Sequence, residues 1–206
     1  MEKNYLVKKL GIASFPSSLP ISSNSKYDDF KFVDDENRIL GEVTIFPTNK
    51  GNASLSFEQA GPRAYNYFDS SKVRAGIVTC GGLSPGINNV IRTIVMQLYH
   101  NYGVRSIHGF RYGFQGFIKN FQHKIMDLNP SNVQNIHNLG GSILSSSRGP
   151  QDTTEIVDCL EQNDINILFC IGGDGTLHGA NAIAKEVENR KKNISIIGIP
   201  KTIDND

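Results

Sequence analysis

The chain has 206 residues, of which 38% are hydrophobic and 20% charged. Those proportions describe a globular chain with room for one domain and a small addition; disorder throughout is excluded, and no apolar run approaches the roughly 18 residues of a membrane helix. The balance of 21 basic against 20 acidic side chains leaves +1, and no basic cluster exceeds Arg190-Lys191-Lys192, so nucleic acid and membrane are both excluded as expected partners.

Residues 1 to about 70 are Ser-rich and acidic in stretches, with one strand candidate, Leu40 to Phe46, ended by Pro47. They are expected to form an extension packed on the main domain, which then runs over residues 71–206. Ala75 to Thr79 is a short apolar run, and the loop after it leads into Asn88 to Tyr99, where Ile91, Ile94, Val95 and Leu98 share a helical face. Ser106 to Phe110 is a second strand candidate, and the Gly-rich Arg111 to Gly116 follows as loop. Pro130-Ser131 opens a short helix to Asn138, and Asp152 caps another with the face Ile156, Val157 and Leu160. Ile165 to Ile171 is a continuous apolar run of the kind buried on both faces of a parallel sheet. A Gly-rich turn, a helix to about Glu188 and a last strand, Ile194 to Ile199, complete the alternation. Strands alternating with helices specify an α/β fold, a doubly wound and mostly parallel sheet with helices on both faces, whose ligands bind at the carboxyl ends of the strands.

Three strand-end loops have the chemistry of anion sites. Gly81-Gly82-Leu83-Ser84-Pro85-Gly86 joins strand to helix, where glycines let backbone N–H groups approach an anion at the positive end of the helix dipole. It lacks the Lys-Ser/Thr pair of a Walker A loop. Gly172-Gly173-Asp174-Gly175-Thr176 places a carboxylate among glycines, suited to a Mg²⁺ ion bridging to phosphate oxygens; the alternative is a plain helix cap by Asp174 or Thr176. In Pro200-Lys201-Thr202-Ile203-Asp204-Asn205-Asp206 the two aspartates are two apart, so an extended segment points both to one side for acid–base work, while an ordinary turn is the competing reading. Arg148, after Ser145-Ser146-Ser147, offers a guanidinium that suits phosphate and equally suits solvent. The five histidines show no ligand spacing, and the aromatic residues Phe110, Tyr112, Phe114 and Phe117 read as loop packing. Cys80, Cys159 and Cys170, odd in number and without Cys-x-x-Cys spacing, fit reduced thiols in a cytoplasmic protein without a secretory signal.

Gly172 to Thr176, followed 30 residues after Asp174 by the Asp204 of Thr-Ile-Asp-Asn-Asp, resembles the 6-phosphofructokinase family, and the pairing is far more specific than either half. The first glycine loop with Asn88 and Arg92 is similar to the same family. Phe57 to Arg63, Tyr67-Phe68 and Ile77 to Leu83 resemble its long-chain, ATP-dependent plant and kinetoplastid type, with Ser84 where that type usually has cysteine. The resemblance implies Mg²⁺ and ATP as cofactor and donor, fructose 6-phosphate as acceptor, and a homotetramer. It implies Asp204 as the base acting on the sugar 1-hydroxyl, supported by Asp206, with Thr202, Ile203 and Asp204 forming the substrate segment. Asp174 would hold the metal, and Gly81, Arg148, Gly149, Gly173, Gly175 and Thr176 would cradle ATP. Gly175 would select ATP over pyrophosphate, because pyrophosphate-dependent relatives carry aspartate there; Lys201 occurs in both types. The resemblance also implies that sequence beyond Asp206 supplies further sugar-binding residues, so the 206 residues are expected to be the truncated nucleotide-binding part of a larger kinase, and a non-catalytic nucleotide-binding fragment is the alternative.

Overall fold

The computed structural model describes residues 7–21, 31–41 and 55–203. The chain divides into two compact units, Met1–Phe68 and Asp69–Asp206. In the first, β1 (Phe15–Pro16) pairs antiparallel with β4 (Tyr65–Asn66), and β2 (Arg38–Leu40) pairs antiparallel with β3 (Ser56–Glu58). Asp35 lies 2.8 Å from the Arg63 guanidinium and 3.3 Å from Lys9, and the hydrogen bond from Lys9 holds its carboxyl below the usual range. The expected strand Leu40 to Phe46 meets β2 only at Leu40; residues 42–46 lie outside the described residues.

The second unit is an α/β domain on one mostly parallel sheet. Its strands are β5 (Arg74–Thr79), β6 (Ser106–Phe110), β7 (Met126–Asp127), β8 (Ile167–Gly172) and β9 (Ser195–Pro200), in the spatial order β7-β6-β5-β8-β9. All neighbours are parallel except β6 and β7. The sequence reading omits β7, since a two-residue strand carries no periodicity of its own. The helices are α1 (Ile87–Met96), α2 (Pro130–Val133), α3 (Thr153–Gln162) and α4 (Asp174–Asn189). Chain order runs outward from β5 to β6 on one side and from β8 to β9 on the other. Right-handed crossovers therefore carry α1 and α4 to opposite faces, and the direction reverses between β5 and β8.

Local signals account for the element ends. Asp152 accepts from the Thr154 N–H at 2.7 Å and starts α3, and Asn129 and Asn132 form a reciprocal capping box that starts α2. The expected single helix to Asn138 is instead α2 followed by a short 3₁₀ turn at Ile136–Asn138. After Met96 the helix widens into one π turn over Gln97–Asn101, where the Tyr102 N–H bonds the Gln97 carbonyl, and Gly103 at φ +72° ends it. Arg111 to Gly116, expected as loop, includes a 3₁₀ turn at Gly113–Phe117 that feeds Phe114 and Phe117 into the core, Phe117 stacking on Phe110 at 4.1 Å.

The core lies between the sheet and α3 and α4, with Val78, Phe110, Val157, Leu160, Leu168, Cys170 and Ile183 fully or almost fully enclosed. On the outer side of α3 and α4, Arg190 bonds Asp158 at 2.6 Å, Glu186 at 2.7 Å and the Thr154 carbonyl at 3.1 Å, while Lys192 reaches Glu161 at 2.8 Å. Hydrogen bonding from Lys192 lowers the Glu161 carboxyl below its ordinary range. No helix among the described residues is long and apolar enough to cross a membrane. Leu168 is wholly buried on β8, an interior strand of the sheet, so Leu168→Ala is expected to cost about 2–5 kcal/mol of unfolding free energy, read from the shift of a urea unfolding curve.

Candidate functional site

Two loops meet where the sheet reverses direction. The first leaves β5 at Cys80, and its Gly81 and Gly86 take φ +81° and +85°, left-handed values at which a Cβ is strained. Gly86 is the N-cap of α1 and offers no side chain to its amides. The second leaves β8 at Gly172, and Gly173 caps α4 in the same bare way. The Thr176 and Leu177 N–H groups bond the Gly173 carbonyl, which leaves the Asp174 and Gly175 N–H groups without an acceptor among the described residues. Open amides at the positive end of a 16-residue helix carry the partial positive charge to which anions are drawn.

The loops are joined to each other. The Cys80 N–H donates to the Ile171 carbonyl at 3.0 Å, and the Thr176 hydroxyl donates to the Cys80 carbonyl at 3.3 Å. Gly172 sits in this crossing, where a Cβ would lie 2.5 Å from the Cys80 carbonyl oxygen. Thr176 is thus buried and its hydroxyl is committed to the neighbouring loop; what it offers a ligand is position in the helix turn. Burial pushes the Cys80 thiol up to about 12 and raises Cys170 as well, so both stay protonated and inert.

A third segment, Leu139 to Gly149, folds over the first loop and forms with it a cleft of about 770 Å³, lined by Gly81, Gly82, Leu83, Gly140, Gly141, Ser142, Ser145, Ser146, Ser147 and Arg148. The Gly81 N–H donates to the Ser147 carbonyl at 3.1 Å, and the Ser146 hydroxyl donates to the Gly81 carbonyl at 2.7 Å. Two buried residues fasten the segment from below. Thr79 Oγ1 donates to the Ser145 carbonyl at 2.7 Å and lies 2.8 Å from Ser142 Oγ. Asn88 Oδ1 accepts from the Ile143 N–H at 2.9 Å while Nδ2 donates to the Leu139 carbonyl at 3.0 Å. No sequence signal assigned these two a task; a polar side chain at the end of an otherwise apolar strand, and another in the first turn of an amphipathic helix, are the only marks they leave.

Of the expected residues Gly81 and Arg148 line this cleft, and the others lie on the loops next to it in the chain or across the crossing at Gly172. Arg148 is exposed, with Nη2 3.8 Å from the Cβ position of Gly82 and no hydrogen-bond or ion-pair partner among the described residues. Gly149 follows at φ +98°. Asp174 is exposed with a carboxylate that has no such partner either, and the space a Cβ at Gly175 would enter is empty for 4 Å. Lys201 donates its N–H to the Gly172 carbonyl at 2.9 Å and runs its side chain within 3.5 Å of the Cβ position of Gly86. Thr202 lies 3.8 Å from that of Gly173, and Ile203 is 68% exposed. Asp204 and Asp206 lie outside the described residues. No group of three or more His, Cys, Asp or Glu side chains among the described residues could hold a metal by itself.

The phosphofructokinase family model matches residues 74–206. The chain belongs to the phosphofructokinase family. It is 47% identical over 177 residues to the ATP-dependent 6-phosphofructokinase of Borreliella burgdorferi, covering 85% of this chain and 39% of that protein. The corresponding enzyme of Trypanosoma cruzi is 50% identical over 152 residues, covering 74% and 31%, and ATP-dependent 6-phosphofructokinase 1 of Arabidopsis thaliana is 43% identical over 189 residues, covering 91% and 39%. The chain therefore spans well under half the length of these relatives. Among solved structures, the T-state phosphofructokinase of Pichia pastoris superposes with a TM-score of 0.57 at 24% identity, over 71% of this chain and 16% of that one. A pyrophosphate-dependent phosphofructokinase from Marinobacter aquaeolei gives 0.59 at 20%, over 65% and 34%. These two establish the shared fold. In this phosphofructokinase unit the crossing of the two loops leaves no room at residue 172. Gly172→Ala is expected to push them apart and lower the melting temperature by several degrees, as about 1–3 kcal/mol of overpacking does, measured by thermal denaturation.

Proposed function

We propose that this chain carries the nucleotide-binding half of an ATP-dependent 6-phosphofructokinase, which transfers a phosphoryl group from Mg·ATP to the 1-hydroxyl of fructose 6-phosphate. The observation that carries the reading is that two bare helix N-termini follow loops that cross at Gly172, and that the first of these loops lines a cleft with Arg148, which has no hydrogen-bond or ion-pair partner among the described residues. Phosphoryl transfer asks a protein chiefly to align two anions and neutralise their charge, and that is what backbone amides and a guanidinium supply. The names of the curated relatives support ATP as donor.

In this reading the amides of Gly173 and Gly175 cradle the donor phosphates; Gly81, whose own N–H is given to Ser147, lets the backbone of the first loop come close to them, with Arg148 and Gly149 closing from the serine-rich segment and Thr176 holding the turn. An exposed carboxylate that stands apart from other metal-ligating groups among the described residues fits a cation that arrives with its own phosphate and water oxygens, so Asp174 is the residue that would hold Mg²⁺, which when bound would neutralise charge on the transferred group. Thr202, Ile203 and Asp204 form the acceptor segment. Asp204 accepts the proton of the sugar hydroxyl, and Asp206 supports it. The open space at Gly175 favours a nucleotide, since an aspartate there would place a negative charge where the donor's next phosphate has to lie. Pyrophosphate as donor is the second reading, favoured by the placement of Lys201 over the first loop, where its charge could serve a bare phosphate equally well.

Assaying the enzyme with each donor discriminates the two: turnover is expected with Mg·ATP, and a strong preference for pyrophosphate would overturn the donor assignment. Gly175→Asp is expected to reduce kcat/KM for ATP by at least about 100-fold, the scale of a like-charge juxtaposition against the bound phosphates of some 3 kcal/mol. Asp204→Asn is expected to abolish turnover while leaving ATP affinity, measured by titration calorimetry, within about twofold; retained turnover would refute its role as base.

A further inference from the structure

We infer that Thr79 and Asn88 are positioning residues that set the reach of Arg148 toward the donor phosphates, an inference that rests on the nucleotide reading of the cleft. Both lie in the first βα unit, Thr79 at the last position of β5 and Asn88 in the first turn of α1. Both are almost wholly buried, at 1% and 2% exposure, so neither can touch a ligand. What they touch is the segment that ends in Arg148.

Their hydrogen bonds use up their polar atoms on that segment. Thr79 Oγ1 donates to the Ser145 carbonyl and accepts from the Ser142 hydroxyl, which in turn accepts from the Leu144 N–H at 3.2 Å. Asn88 spans the turn before it, one amide atom on Leu139 and the other on Ile143. Between these two grips the segment is anchored by Leu144, whose side chain is wholly buried and whose carbonyl accepts from the Tyr112 N–H at 2.8 Å. It contains Gly140 and Gly141, forms no helix or strand, and places Ser145 at φ +58°, a left-handed value unusual for serine. With no ladder of its own, the stretch on either side of Leu144 takes its position from the polar side chains beneath it. Its outer bonds, Gly81 to Ser147 and Ser146 to Gly81, then deliver Arg148 to the face of the first glycine loop. The same strand and helix that present the glycine amides thus fix the distance between those amides and the guanidinium, which is why the two can act on one polyphosphate.

The test is a double-mutant cycle on Mg·ATP binding to the full chain, read by titration calorimetry. Thr79→Val keeps the shape and removes the hydroxyl, and is expected to weaken binding about tenfold, or 1.4 kcal/mol. Thr79→Ser restores the hydroxyl and is expected to bind within about twofold of the unsubstituted chain. In an Arg148→Ala background, Thr79→Val is expected to add nothing, because the group it positions is gone. Should Thr79→Val fail to fold, Asn88→Asp takes its place in the same cycle, since a carboxylate can accept from Ile143 but cannot donate to Leu139. Full effects in both backgrounds, or unchanged binding by the folded variant, overturn the inference while leaving the nucleotide site intact. Failure of the unsubstituted chain to bind Mg·ATP removes the nucleotide reading itself, and the positioning role with it.

Discussion

The tight crossing of two loops at the carboxyl ends of β5 and β8 is the constraint on which the rest of the site depends. Two adjacent parallel strands lie near 4.8 Å apart, so the turns that leave them in opposite directions have to pass almost in contact. Gly172 makes that passage possible by having no side chain, and Thr176 fastens it by giving its hydroxyl to the Cys80 carbonyl. The consequence is chemical. The two crossing loops lead into helices on opposite faces of the sheet, and neither helix N-terminus has a side chain to quench its amides. Positive potential fixed in backbone needs no counter-ion of its own and costs no reorganisation when an anion arrives.

The remainder of the domain serves to hold this arrangement still. Phe110, Val78, Leu168 and Ile183 pack the sheet against α3 and α4, and Arg190 ties the outer surfaces of those two helices through Asp158, Glu186 and the Thr154 carbonyl. The arginine network is solvated and adds direction more than stability; the apolar core supplies the driving force. Strain is kept to the loops, where glycines take most of the left-handed positions around the cleft.

How much of this was legible in the sequence varied with the length of the signal. The apolar run through Ile171 and the helix after it were plain, because a parallel strand buried on both faces has no polar alternation to confuse and a 16-residue amphipathic helix repeats its pattern. The glycine loops were equally plain, since Gly at adjoining positions has few uses. The π turn after Met96, the split of the helix at Gln134 and the two-residue β7 were not, because each is decided by which distant backbone group is nearest. The same holds for Thr79 and Asn88, whose partners lie 51 to 66 residues away.

The sequence by itself determined the fold class, the family, and the residue types that a polyphosphate site requires, because periodicity and short glycine motifs are local properties that survive without coordinates. Only the tertiary structure decided that the loops cross at Gly172, that Thr176 spends its hydroxyl on that crossing, and that two buried side chains of the first strand and helix bond the serine-rich segment on either side of its buried Leu144. Those are relations between segments far apart in the chain, and their geometry is set by strand order and by the few ångströms between neighbouring strands, neither of which a linear pattern records.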